Sequence, residues 1–214
     1  MARVEAVIVD LDGVIRTWPA RPVTAIEVDF GLPIGAIDSA AFGSPVLAAM
    51  LAGSASRRAW QSDVARDLEA RYGRPGREAA SRWAHLRGMV DRGMLELVRD
   101  VRLTCPVALL SNAGHELMSD LRALGIEGAF DVVASSAGLG FVKPDPRAFL
   151  RTAELLSRPP SSCLAIDDLP LNVVAARALG MAAIQHRSAA RTRRALARFG
   201  IGFATERPCP GDRL

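Results

Sequence analysis

Two aspartates, Asp10 and Asp12, close a short apolar run, Val4 to Val9. Two more, Asp167 and Asp168, close another, Cys163 to Ile166. Alternate residues of an extended chain project to one side, so Asp10 and Asp12 can face one site while Leu11 points away. Gly13 then lets the backbone turn sharply. Carboxylates gathered this way repel, and a cation or a proton must offset them. With no His or Cys nearby in sequence the donor set is all oxygen, which suits a hard ion, Mg²⁺ first. Against four carboxylates, one divalent ion and one lysine still leave a single negative charge in excess, so a phosphate dianion would be repelled unless one carboxyl were protonated. That reading makes Asp12 the neutral general acid and Asp10 the ionised nucleophile.

Lys143 is the only lysine of the chain; arginine stands at every other basic position. A compact ammonium fits beside a nucleophilic carboxylate and a crowded phosphate. A planar guanidinium, which demands two-armed geometry, does not.

The elements that must position these groups can be read from the apolar pattern. Short Val/Ile-rich runs that stop at polar residues read as buried parallel strands: Val4–Val9, Pro106–Leu110, Asp131–Ala134, Cys163–Ile166, and Met181–Ile184 as a fifth. The second stops at Ser111-Asn112 and the third at Ser135-Ser136. Helical spacing follows at Glu116–Leu124, with Leu117, Leu121 and Leu124 on one face, at Pro146–Leu156 and at Leu171–Leu179. Strands alternating with helices predict an α/β fold with a doubly wound, Rossmann-like parallel sheet, whose ligands bind beyond the carboxyl ends of the strands. Residues 16–97 break the alternation. Their pieces, Pro45–Ala52, Arg57–Tyr72 and Arg77–Val90, predict a helical insert, leaving 1–15 and 98–214 as the core.

Composition removes several classes of function. The 214 residues are 50% hydrophobic and 23% charged, a globular balance that excludes disorder. A 5% aromatic share argues against stacking platforms for single-stranded nucleic acid. Cys105, Cys163 and Cys209 make an odd number without C-x-x-C spacing, which excludes a disulfide framework and a zinc ribbon and suits a reducing compartment. The first apolar run is too short for a secretory signal and no run is long enough to span a membrane, so the expectation is a cytoplasmic protein. The net charge of +4 concentrates in Arg187, Arg191, Arg193, Arg194 and Arg198, read as a solvated helix face rather than a nucleic-acid site.

Four segments taken together resemble the ordered motifs of the haloacid dehalogenase superfamily: Asp10-Leu11-Asp12-Gly13-Val14, Ser111-Asn112, Lys143-Pro144-Asp145-Pro146, and Asp167-Asp168 followed by Asn172. The resemblance covers about two thirds of the chain, and the helical insert stands where that family carries a cap. It implies that Asp10 attacks phosphorus to form an aspartyl-phosphate, and that Asp12 protonates the leaving alcohol and then deprotonates water. Mg²⁺ would be held by the Asp10 carboxylate, the Asp12 carbonyl and the Asp168 carboxylate, with Asp167 behind them. Ser111 and Asn112 would bind the phosphoryl oxygens, and Lys143 would bridge phosphate and Asp10.

The implied function is Mg²⁺-dependent hydrolysis of a small phosphate monoester. Transfer within a sugar phosphate (a phosphomutase or phosphotransferase) and an idle binding protein of the same fold are the alternatives. Phosphonate-cleaving relatives use a cap lysine, which this insert lacks, and the halide-removing branch generally lacks the second aspartate of the first motif. Asn172, four residues after Asp168, is expected to orient that ligand. Arg16, Trp18, Arg57, Arg58, Trp60 and His85 are candidates for gating or substrate contact, with Trp60 and Trp83 better read as core. His115 and His186 show no ligand spacing and read as surface or core residues, although His115 lies just after Ser111-Asn112. Gly138-Leu139-Gly140 lacks the third glycine of a dinucleotide fingerprint.

Overall fold

A computed structural model describes residues 3–201. Cys209 and the core residues expected beyond 201 lie outside this range. Five strands, β1 (Ala6–Val9), β4 (Val107–Ser111), β5 (Val132–Ser135), β6 (Cys163–Asp167) and β7 (Ala182–Gln185), form one sheet in the order β5-β4-β1-β6-β7. Every pairing in it is parallel. The three central strands are buried throughout, as strands covered by helices on both faces must be.

Side-chain alternation divides the core in two. Val7, Val9, Leu109, Leu164 and Ile166 pack on one face with the helices Arg92–Arg102 and Leu117–Ala123. Ala6, Ile8, Ala108, Leu110 and Ala165 pack on the other with Pro146–Leu155 and Pro170–Ala178. The alanines of this second face let its helices approach closely, and Phe149 fills the space between them.

The sequence between β1 and β4 is richer than the three helical pieces expected. Before the helix Arg92–Arg102 it holds five helices, Ala20–Asp29, Ala36–Gly43, Pro45–Leu51, Arg57–Tyr72 and Arg74–Trp83. An antiparallel pair, β2 (Arg16–Thr17) with β3 (Met89–Val90), closes its mouth. These helices bury an apolar cluster of their own that includes Ile26, Ile37, Val64 and Leu68. Trp60 and Trp83 pack edge to face beside it, with centroids 5.3 Å apart.

Two expectations are corrected. The helix predicted over Arg77–Val90 ends at Trp83, because the chain must extend at Met89 to pair with Thr17. The insert does not reach residue 97: Met94, Leu95 and Leu97 already belong to the sheet's apolar cluster, as the amphipathic helix Arg92–Arg102 buries one face there. No helix among the described residues is long and apolar enough to cross a membrane. Arg187, Arg191, Arg194 and Arg198 are exposed, and Arg193 pairs with Asp100 at 2.7 Å.

Emptying the space filled by Phe149 should be costly. Phe149→Ala is expected to lower stability by about 3–5 kcal/mol, read as a fall in the denaturant midpoint. A change within 1 kcal/mol, on the order of an exposed-site substitution, would contradict this packing.

Candidate active site

Parallel strands that end level bring their carboxyl-terminal residues to one edge of the sheet. Asp10 follows β1 directly, and its N–H still bonds Ile166 O at 2.9 Å, so it leaves the sheet in ladder register with β6. Ser111 ends β4 and Asp167 ends β6. Asp10, Ser111, Lys143 and Asp167 are all buried.

Lys143 joins the two strands electrostatically. Its ammonium lies 2.8 Å from Asp10 Oδ1 and 2.7 Å from Asp167 Oδ2. Burial pushes that ammonium down, but the two carboxylates outweigh burial and hold it above its ordinary value. Asp10 carries the opposite balance. Burial raises its carboxyl to about 7, against the pull of Lys143 and with the repulsion of Asp167. Its Oδ1 also accepts the Leu11 N–H at 2.7 Å. Asp168 is raised too, by burial and then by Asp167.

The carboxylate oxygens of Asp10, Asp167 and Asp168 approach within 4.8 Å of one another, a spacing that one ion could share. A crowded, partly desolvated set of oxygens, two of whose carboxyls are pushed toward protonation, fits a hard divalent cation. Asp167 is the most committed of the three. Its Oδ1 accepts from Leu169 N at 3.0 Å and Asn172 Nδ2 at 2.9 Å, while Oδ2 takes Lys143. Asp168 keeps a freer carboxylate, and Gly13 makes the room for it. A Cβ at position 13 would lie 2.6 Å from the Asp168 Cγ, and Gly13 holds φ at +78° besides.

Asn172 therefore serves a different neighbour from the one expected. Its helix begins only at Pro170, so Asp168 precedes the first turn and helical spacing does not relate the two. Asn112 also differs from expectation: its amide donates to Lys143 O at 2.9 Å and accepts from Lys143 N at 2.8 Å. It clamps the lysine backbone, and with it the reach of the ammonium.

Asp12 is engaged by groups the charge count did not include. Arg16 Nε meets its Oδ1 at 2.6 Å and Nη2 meets its Oδ2 at 2.8 Å, and Trp18 Nε1 donates to the same Oδ1. Asp12 and Arg16 are four apart, brought together by a tight turn in which Gly13 N bonds Arg16 O at 2.8 Å. Arg16 thus supplies a positive charge that the count left out, paired to both oxygens of Asp12.

A second set of contacts ties the helical segment to the core. Arg57 grips Asp120 with two arms at 2.7 and 2.6 Å, and its N–H reaches Glu116 Oε1 at 3.2 Å. Arg16 Nη1 lies 3.5 Å from the same Asp120. Ser136 Oγ donates to Leu51 O at 2.7 Å and accepts from Ala113 N at 3.1 Å, and His115 Nε2 meets Gly53 O at 3.2 Å. Trp60 lies in the apolar cluster, donating to Ala41 O at 2.9 Å, whereas Arg58 and His85 are exposed.

Fold and site together define a Rossmann-like parallel α/β core that gathers aspartates and one lysine at its strand ends. Residues 4–180 match the sequence model of haloacid dehalogenase-like hydrolases, and the chain belongs to that family. A phosphatase of Mycobacterium tuberculosis is 37% identical over 130 residues, which are 57% of this chain and 57% of that protein. The chain spans about half the length of three of the curated relatives it matches and 18% of a fourth. A haloacid dehalogenase family enzyme of Bacteroides thetaiotaomicron, solved with magnesium and inorganic phosphate, superposes with a TM-score of 0.67 at 18% identity, covering 86% of this chain and 94% of that one. An L-2-haloacid dehalogenase of Xanthobacter autotrophicus with chloropropionic acid covalently bound gives 0.62 at 18% identity, covering 93% and 84%. At these identities the structures share the fold.

The raised carboxyl of Asp10 has a measurable consequence. Below pH 7 it holds a proton that a divalent ion must displace, so ion binding strengthens as pH rises and releases protons in acid. Calorimetric titration with MgCl₂ should show roughly tenfold tighter binding at pH 8 than at pH 6, with proton uptake by the buffer at pH 6. Equal affinity at both values would contradict it.

Proposed function

We propose that this chain is a Mg²⁺-dependent phosphatase acting on small organic phosphate monoesters through an aspartyl-phosphate on Asp10. The observation that carries the reading is the buried Lys143 ammonium shared by Asp10 and Asp167, with Asp168 alongside. It joins one carboxylate placed to attack to a fixed positive charge able to receive a phosphoryl group. The phosphatase relative and the phosphate-bound structural neighbour point the same way.

Asp10 and Asp168 would hold the ion through their carboxylates and Asp12 through its backbone carbonyl, with Asp167 behind them. Bound there, Mg²⁺ would supply positive charge against which the phosphoryl oxygens and the carboxylates can approach. An Asp10 oxygen attacks phosphorus as the ester oxygen leaves. Ser111 donates to the phosphoryl oxygens, and Lys143 offsets charge between phosphate and Asp10. Asn112 sets the lysine rather than binding phosphate itself. Asp12 works on protons, toward the leaving oxygen in the first half-reaction and away from water in the second. The helical segment acts as a cap, seated through Arg57, Ser136 and His115, that excludes bulk water while phosphorus is transferred.

Phosphate release from p-nitrophenyl phosphate tests this reading. Turnover should appear with Mg²⁺ and vanish with EDTA. Asp10→Asn should lower kcat at least about 1,000-fold with the fold intact by circular dichroism. Lys143→Arg should cost about 100-fold although charge is kept, because a forked guanidinium cannot replace the point charge between two carboxylates. Chelator-insensitive turnover, or an active Asp10→Asn, would refute the assignment.

A further inference from the structure

Trp18 is 47% exposed, whereas Trp60 and Trp83 pack against the apolar cluster of the insert. Exposed as it is, the indole is tethered. Its Nε1–H donates to Asp12 Oδ1 at 2.5 Å, which sets the pyrrole edge against the aspartate that the proposed reaction places on the leaving oxygen. From that edge two fused rings run outward, so the indole stands as a wall beside the place where the leaving group must lie.

One face of the wall is filled. The Arg16 guanidinium rests over the ring, 4.9 Å from its centroid. Arg16 is itself buried, lies on β2 opposite Val90, and spends Nε and Nη2 on the two oxygens of Asp12. Gly88 leaves space for its stem, since a Cβ there would meet Arg16 Cγ at 2.8 Å and Cδ at 3.0 Å. Asp12 at one edge and Arg16 on one face hold the indole plane before any substrate arrives. The exposure that remains belongs to the opposite face and the outer edge. A fixed, half-open indole offers stacking area to a second flat ring at little cost in ordering. A cation is poorly served there, because a guanidinium already draws on the same π-system.

We propose that Trp18 is a specificity-determining residue that stacks on a neutral aromatic or heteroaromatic ring of the leaving group, joined to the ester oxygen directly or through one carbon. This rests on the phosphatase reading of Asp10. The short span follows from the tether: with Nε1 on Asp12 the indole begins beside the leaving oxygen, and a ring on a long chain would overshoot it.

Benzyl phosphate and cyclohexylmethyl phosphate separate flatness from leaving-group chemistry, since both release a primary alcohol of similar size and acidity. With Mg²⁺ the wild-type kcat/KM should favour the benzyl ester at least about fivefold, most of it in KM. Trp18→Leu should bring that ratio to about one, whereas Trp18→Phe should keep about half of it. A side chain that only supported Asp12 would slow both esters together and leave their ratio unchanged. Calorimetry with 2-phenylethylphosphonate and 2-cyclohexylethylphosphonate, in which a methylene replaces the ester oxygen, should show the same preference in Kd, lost in Trp18→Leu. Equal KM for the two esters and equal Kd for the two phosphonates in the wild type overturn the inference alone, as does a preference that survives Trp18→Leu. A wild type that turns over neither ester nor p-nitrophenyl phosphate overturns the phosphatase reading and this inference with it.

Discussion

The active edge depends on one buried ammonium. Asp10 and Asp167 leave adjacent strands with their carboxylates crowded together, and a desolvated pair of negative charges would push the strand ends apart. Lys143 lies between them and makes that crowding tolerable. Its position is in turn fixed by the two hydrogen bonds from Asn112 to its backbone. Three strands are thereby tied at their ends: β1 through Asp10, β4 through the residue after Ser111, and β6 through Asp167. The compensation is incomplete, since Asp10 stays raised to about 7, and that residual demand for positive charge is what a divalent ion can meet.

A second charge system runs from Asp12 through Arg16 and Asp120 to Arg57. It connects the turn after β1 to a helix of the core and to a helix of the insert. Asp120 is mostly buried and both its oxygens are held by Arg57, so withdrawing Arg57 would leave it only the 3.5 Å contact with Arg16. The seating of the helical segment and the surroundings of Asp12 therefore share one electrostatic unit, separate in residues from the Lys143 cluster.

Much of the fold was legible because short apolar runs ended in Asp or Ser, a pattern that buried parallel strands impose. The convergence of Asp10, Asp167 and Asp168 followed from strand ends, whereas Lys143, which ends no strand, stood out as the lone lysine and through its motif. What escaped depended on turns and on partners distant in sequence. Asp120 occupies the Leu117, Leu121 and Leu124 stripe of its helix, and a charged residue on an apolar face was itself a signal of a buried ion pair. Arg16 was legible as a residue near the site but not as the partner of Asp12, because spacing of four was read for helices and here belongs to a glycine turn. Asn172 was tied to Asp168 by helical spacing that starts two residues too late to apply. The expected boundary after residue 97 fell inside the helix Arg92–Arg102, whose arginines interrupt the apolar face formed by Met94, Leu97, Val98 and Val101.

A crystal structure grown with MgCl₂ and beryllium fluoride would examine the centre most directly. The account predicts a trifluoroberyllate joined to an Asp10 carboxylate oxygen, Lys143 against its fluorines, and one ion touching the carboxylates of both Asp10 and Asp168. A fluoroberyllate bound to any other residue, or an ion seated away from Asp10, would contradict it.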